Sequence, residues 1–176
     1  DVLAQRGAYI AVAADCYACH TAKGGAAWAG GLPMQTPFGT IYSSNISSDK
    51  ENGIGNWTRY EFQRAVRDGI GKDGKHLYPA MPYASYRQMR AEDVDAVYSY
   101  LMTREPMPVK NQDNDLAFPF NIRRTLNFWN LVNLPGAVPA NDPARSALWN
   151  RGRYLADALA HCGECHTPRN LMQGMI

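Results

Sequence analysis

Cys16-Tyr17-Ala18-Cys19-His20 and Cys162-Gly163-Glu164-Cys165-His166 are two copies of one pattern, and together they use all four cysteines of the chain. Two thiols, a two-residue spacer and an adjoining histidine fit the edge of a porphyrin. Each thiol can add to one vinyl group while the imidazole reaches the iron. Three other readings compete. A zinc ribbon needs its two Cys-x-x-Cys pairs about 15–20 residues apart, and these pairs lie far beyond that. A thioredoxin-type pair belongs beside a βαβ pattern, and none surrounds either motif. Two local disulfides would leave the repeated histidine without a purpose. The pattern therefore points to haem c at both motifs, attached through Cys16, Cys19, Cys162 and Cys165, with His20 and His166 as iron ligands.

The repetition extends upstream. Arg6-Gly7-Ala8-Tyr9-Ile10-Ala11 leads into Cys16, and Arg151-Gly152-Arg153-Tyr154-Leu155-Ala156 leads into Cys162 with a single inserted residue. A repeat that includes a whole lead-in helix predicts two copies of one domain type.

The first copy can be sketched. Leu3, Gly7, Ile10 and Ala14 recur at helical spacing and lead into the motif. Gly24-Gly25, Gly30-Gly31, Pro33 and Pro37 follow, a loop-rich stretch in which no regular structure is expected. Thr58 and Glu61 form a capping box for a short helix carrying Phe62, Ala65 and Val66, which Gly69 stops. Val94, Val97, Tyr98 and Leu101 mark a closing helix, with Arg90 or Ala91 where a capping oxygen belongs. This order of elements resembles a small all-α cytochrome c domain, complete over residues 1–104.

From 105 to 141 the composition changes. Pro106, Pro108, Pro119, Pro135 and Pro139 break any long element, and Arg124 to Val132 suits about two helical turns. Phe118, Phe120, Phe128 and Trp129 are too apolar for a flexible linker, so a structured connector is expected. Asp142-Pro143 reads as the N-cap and first turn of the next lead-in helix. The second copy, 142–176, is expected to be incomplete, because only ten residues follow His166.

The first iron needs a second axial donor. Tyr78-Pro79-Ala80-Met81-Pro82-Tyr83 is a stiff, extended strap, because both prolines fix φ and Pro82 pushes Met81 out of the helical region. Met81 is the leading candidate and His76 its rival. Paired histidine and methionine leave no open position, the arrangement of an electron carrier. No second donor is evident for the other iron. Met172 and Met175 lie too close to His166 in sequence, and His161 fits packing better than ligation. Asn45, Trp57 and Arg67 are candidates for contacts to the propionates or macrocycle edge, against plainer roles as a turn residue, a core aromatic and a solvated charge.

Composition adds exclusions. A net charge of +2 argues against a nucleic-acid binder. No run approaches the roughly 18 apolar residues of a membrane span. Attachment of haem to reduced thiols takes place on the outer side of the bacterial plasma membrane, so a periplasmic chain is expected. The absence of a leader ahead of Asp1 fits a signal peptide already removed. Membrane association is then expected to come from a partner or from further chain.

Seven stretches carry a wider resemblance: Gly31-Leu32-Pro33, Thr36-Pro37-Phe38-Gly39-Thr40-Ile41-Tyr42, Ser44-Asn45-Ile46, Gly53-Ile54-Gly55, His76 to Tyr83, Phe118-Pro119-Phe120-Asn121-Ile122-Arg123, and His161 to Asn170. In these the chain resembles the multihaem cytochrome c subunit of bacterial membrane-bound alcohol, aldehyde, and gluconate or sugar dehydrogenases. The resemblance implies Met81 as sixth ligand and three haem domains in a row. It also implies a large catalytic subunit holding a quinone cofactor, flavin or molybdopterin, and ubiquinone as electron acceptor. The expected role is electron transfer without substrate chemistry. A dihaem peroxidase-type enzyme and a free soluble carrier are the alternatives.

Overall fold

Residues 1–136 and 141–176 are described by a computed structural model. Helix α1 (Val2–Ala13) is capped by the Asp1 carboxylate, which accepts from the Leu3 amide at 2.9 Å. It packs across α5 (Ala91–Leu101) at the most extensive interface between any two elements of the fold. Gly7 sits at the crossing. A Cβ there would overlap the Ala96 carbonyl and lie 2.8 Å from the Tyr100 Cβ, so only glycine lets the helices approach. We expect Gly7→Ala to cost about 2–3 kcal/mol through overpacking against a rigid backbone. A lowered denaturant midpoint with unchanged slope would show it. In an open helix the same change would be mildly stabilising.

Between these helices lie a one-turn helix, α2 (Cys16–Cys19), and α3 (Arg59–Asp68). Thr58 and Glu61 form the expected reciprocal capping box, and Gly69 ends α3 in the left-handed conformation. Another single turn, α4 (Tyr83–Tyr86), precedes α5, whose N-cap Arg90 makes no side-chain cap bond. The main core gathers Ile10 and Ala14 from α1 and its C-cap, Phe62 and Val66 from α3, and Val94, Val97 and Leu101 from α5.

The chain is mostly helical, but not wholly so. Strands β1 (Pro33–Thr36), β2 (Gly39–Tyr42) and β3 (Asp115–Leu116) form an antiparallel sheet in that order. This corrects the all-α expectation. Pro33 is tolerated because β1 is an edge strand, and Thr36 bonds across the Pro37-Phe38 turn, donating to the Gly39 carbonyl at 2.7 Å. Strand β3 comes from the connector, which therefore adds to the first repeat's own sheet.

The connector continues into α6 (Thr125–Asn133). Its Trp129 packs against Tyr83 with Leu77, Met81, Met172 and Met175 nearby, in a second apolar cluster. The Trp129 indole donates to the Met172 carbonyl at 2.8 Å, and Asn170 donates to Asn133 at 2.7 Å. Pro139 of the expected connector lies outside the described residues.

Helix α7 (Ala147–Tyr154) starts later than Asp142-Pro143 suggested, with Ser146 as its N-cap. Asp142 is held in a preceding turn instead. The Asn150 side chain accepts from the Asp142 amide and donates to its carbonyl, so this stretch cannot continue the helix. After α7 a π-helical turn, Leu155–Leu159, leads towards α8 (Gly163–His166). That wider turn absorbs the one residue by which the second lead-in exceeds the first. Register is thereby restored at the motif itself. Asp15 and His161, each directly before a first cysteine, both take positive φ, 56° and 41°. Each histidine amide then bonds to the first cysteine's carbonyl at 3.0 Å.

The repeats are not separate bodies. Asp93 on α5 is fully buried and accepts from Arg6 of the first lead-in helix and from the Tyr154 hydroxyl of the second, both at 2.6 Å. Ala158 and Leu159 join the main core. Among the described residues no helix is long and apolar enough to cross a membrane.

Candidate functional site

A largely apolar cavity of about 1170 Å³ opens between the main core and the connector. That exceeds the roughly 300–1,000 Å³ typical of small-molecule sites. Cys16, Cys19, His20 and Met81 all line it. Burial pushes the Cys16 thiol up to about 12 and raises that of Cys19 as well, so at neutral pH both are protonated thiols rather than thiolates.

His20 is oriented from behind. Its Nδ1 lies 2.7 Å from the Ser44 carbonyl, which can only accept, so Nδ1 carries the proton and Nε2 keeps its lone pair. Burial lowers the His20 pKa, with the Ser44 carbonyl opposing. Gly30 makes this approach possible. With φ of 71° it bonds to the His20 carbonyl, and a Cβ would collide with the backbone of Ser43 and Ser44.

Met81 sits at the seam of the two apolar clusters. The rival donor His76 is not among the residues lining the cavity, and its Nδ1 is taken by the Asn130 side chain at 3.0 Å. The strap is held from outside itself. Tyr78 donates to the Phe120 carbonyl at 3.0 Å, and Tyr83 to Asn130 Oδ1 at 2.8 Å. Arg123 donates to the His76 carbonyl at 2.7 Å and lies over the Tyr78 ring. No sequence signal marked these supports, because their partners lie in another segment.

Asn45 and Trp57 line the cavity, whereas Arg67 does not. The Asn45 amide is already occupied: it donates to the Met107 and Val109 carbonyls and accepts from Ser47. Its visible work is to hold the connector's first residues onto the loop after β2. The Arg67 Nε is buried without a hydrogen-bond partner.

The second motif lies differently. Cys162, Cys165 and His166 are outside the cavity lining, and both of its thiols are exposed. Its neighbours are not so placed: His161, Glu164, Arg169 and Met172 form part of the cavity wall. Glu164 accepts from Ser85 at 3.1 Å and from Arg169 at 2.8 Å, while His161 meets the Tyr86 ring edge-on at 5.5 Å.

The residues present fit a haem at the first motif. The cavity is large and apolar, both thiols reach it, and an imidazole with a free Nε2 and a thioether share it. The cytochrome c family profile matches residues 4–105, more than half of the chain and all of this site's attachment, histidine and methionine residues. The chain belongs to the cytochrome c family. This cytochrome c is 52% identical over 168 residues to a subunit of nicotinate dehydrogenase from Pseudomonas putida, covering 96% of the chain and 14% of that protein. It is 49% identical to the gluconate 2-dehydrogenase cytochrome c subunit of Pantoea cypripedii, covering 97% of the chain and 39% of the relative. It is 48% identical to the fructose dehydrogenase cytochrome subunit of Gluconobacter japonicus, covering 95% and 35%. The chain thus spans well under half the length of each of these relatives.

Proposed function

We propose that this chain is the haem-bearing part of an electron-transfer subunit that serves a dehydrogenase and performs no substrate chemistry itself. The observation that carries the reading is the apolar cavity shared by Cys16, Cys19, His20 and Met81. Haem c bound there supplies one-electron redox chemistry at iron. Cys16 and Cys19 would tether it, and His20 through Nε2 and Met81 through its sulfur would hold the iron. With both donors engaged, substrates and oxygen would be kept from the metal, which suits relay rather than catalysis.

In this reading residues 1–104 form one haem unit, completed on its surface by the connector at 105–141. Residues 142–176 open a second unit, with Cys162, Cys165 and His166 for its haem. Two tethered haems on one chain hold a fixed separation without relying on diffusion. The names of the relatives support a large dehydrogenase subunit as electron donor, and a quinone, flavin or molybdenum cofactor is proposed for it. Ubiquinone is the proposed acceptor, the periplasm the proposed site, and a third haem on further chain the proposed complement. Contacts from Trp129 to Tyr83 and Met172 support the connector as a clamp between the repeats rather than a free docking arm.

The test mixes the purified subunit with alcohols, aldehydes, sugars, sugar acids and nicotinate, and follows haem reduction. Reduction is expected only after the catalytic subunit is added. Reduction by any of these substrates without it would defeat the proposal.

A further inference from the structure

We infer that Asn130, on connector helix α6, is a positioning residue for the Met81 strap. This rests on the reading of Met81 as the sixth ligand. A single side chain pins both ends of the segment that carries the methionine. Its Oδ1 accepts from Tyr83, two residues after Met81, and its Nδ2 donates to His76 Nδ1, five residues before it. These partners lie 47 and 54 residues away in sequence, so the bonds tie the strap to another part of the chain. Tyr83 is fully buried and Asn130 partly so, which makes an unmet hydroxyl or amide there costly. Arg123 and Phe120, on the same connector, hold the strap's first half.

The physical need is clear. A thioether binds iron weakly, so the fraction of time the ligand is bound depends on how stiffly its backbone is held. Prolines at 79 and 82 stiffen the strap along its length, but they do not fix it to anything. Asn130 supplies fixed points at both ends, beside those that Arg123 and Phe120 give the first half. Losing it leaves every ligand atom in place and raises the population in which the strap lifts from the iron.

The experiment uses the full-length haem-loaded subunit carrying Asn130→Leu, Tyr83→Phe, or Asn127→Leu as a control on the exposed face of α6. Tyr83→Phe keeps the ring packing and removes only the bond to Asn130, so it remains informative if Asn130→Leu folds poorly. Two readouts are taken: the long-wavelength absorption band of thioether-ligated ferric haem, and carbon monoxide binding to the ferrous form. Asn130→Leu is expected to raise the strap-open population about tenfold, seen as faster carbon monoxide uptake and a weakened band. Tyr83→Phe should give a smaller change of the same sign, and Asn127→Leu none. If both readouts in Asn130→Leu and Tyr83→Phe match the parent, or if Asn127→Leu shifts them equally, the positioning role is wrong. If the parent lacks the thioether band from its first haem, the ligand reading fails and takes this inference with it.

Discussion

Replacing Cys16 and Cys19 together with serine is expected to remove one haem from the intact mass and to abolish the cooperative unfolding of the chain. The reason lies in where the cavity is. Its walls are the facing sides of the core: Ala14, Phe62, Val66, Val94, Val97 and Leu101 all line it. An unfilled cavity in a packed core costs about 24 cal/mol per Å³. About half of the roughly 1170 Å³ left unfilled would cost about 14 kcal/mol, close to the top of the roughly 5–15 kcal/mol that a domain has in hand. The repeat must then collapse or unfold, and far-ultraviolet dichroism should report lost helix. A variant that still carries the parent's full haem mass, or no haem adduct on the parent protein, would overturn the covalent reading.

Met81→His is expected to keep the first iron six-coordinate while lowering its potential by an amount on the order of 0.1 V or more. A thioether favours ferrous iron more than imidazole does, so exchanging them stabilises the ferric form. A potentiometric titration of the full subunit, followed at the first haem's own absorption, measures the shift. An unchanged potential and spectrum would mean that another residue ligates the iron.

How much of this was legible in the sequence depended on the range over which each signal acts. The attachment motifs depend on spacing within five residues and could be read directly. The α3 cap was equally local, since Thr58 and Glu61 answer each other one turn apart. The hairpin at 33–42 was not legible, because its strands are four residues long and its prolines read as loop. The start of α7 was misplaced, because Asp142-Pro143 carries the signature of a helix start but Asn150, eight residues on, holds that stretch as a turn. Ser44 behind His20 acts through a backbone carbonyl, which no side-chain pattern reveals. Asn130 and Arg123 were silent for a different reason: each lies 47 residues from the strap residue it holds, and nothing in the local pattern of α6 distinguishes them.

The buried carboxylate of Asp93 changes what counts as a unit in this chain. One oxygen answers an arginine in the first lead-in helix and the other a tyrosine in the second. Neither repeat can open without stripping a partner from an acceptor that water does not reach. A segment of sequence was copied, yet the copy's opening helix bonds to its neighbour's closing helix through Tyr154 and Asp93, and the π-helical turn after it packs against α1 and α4 and lends Ala158 and Leu159 to the main core. The boundary of duplication and the boundary of cooperativity therefore fall in different places.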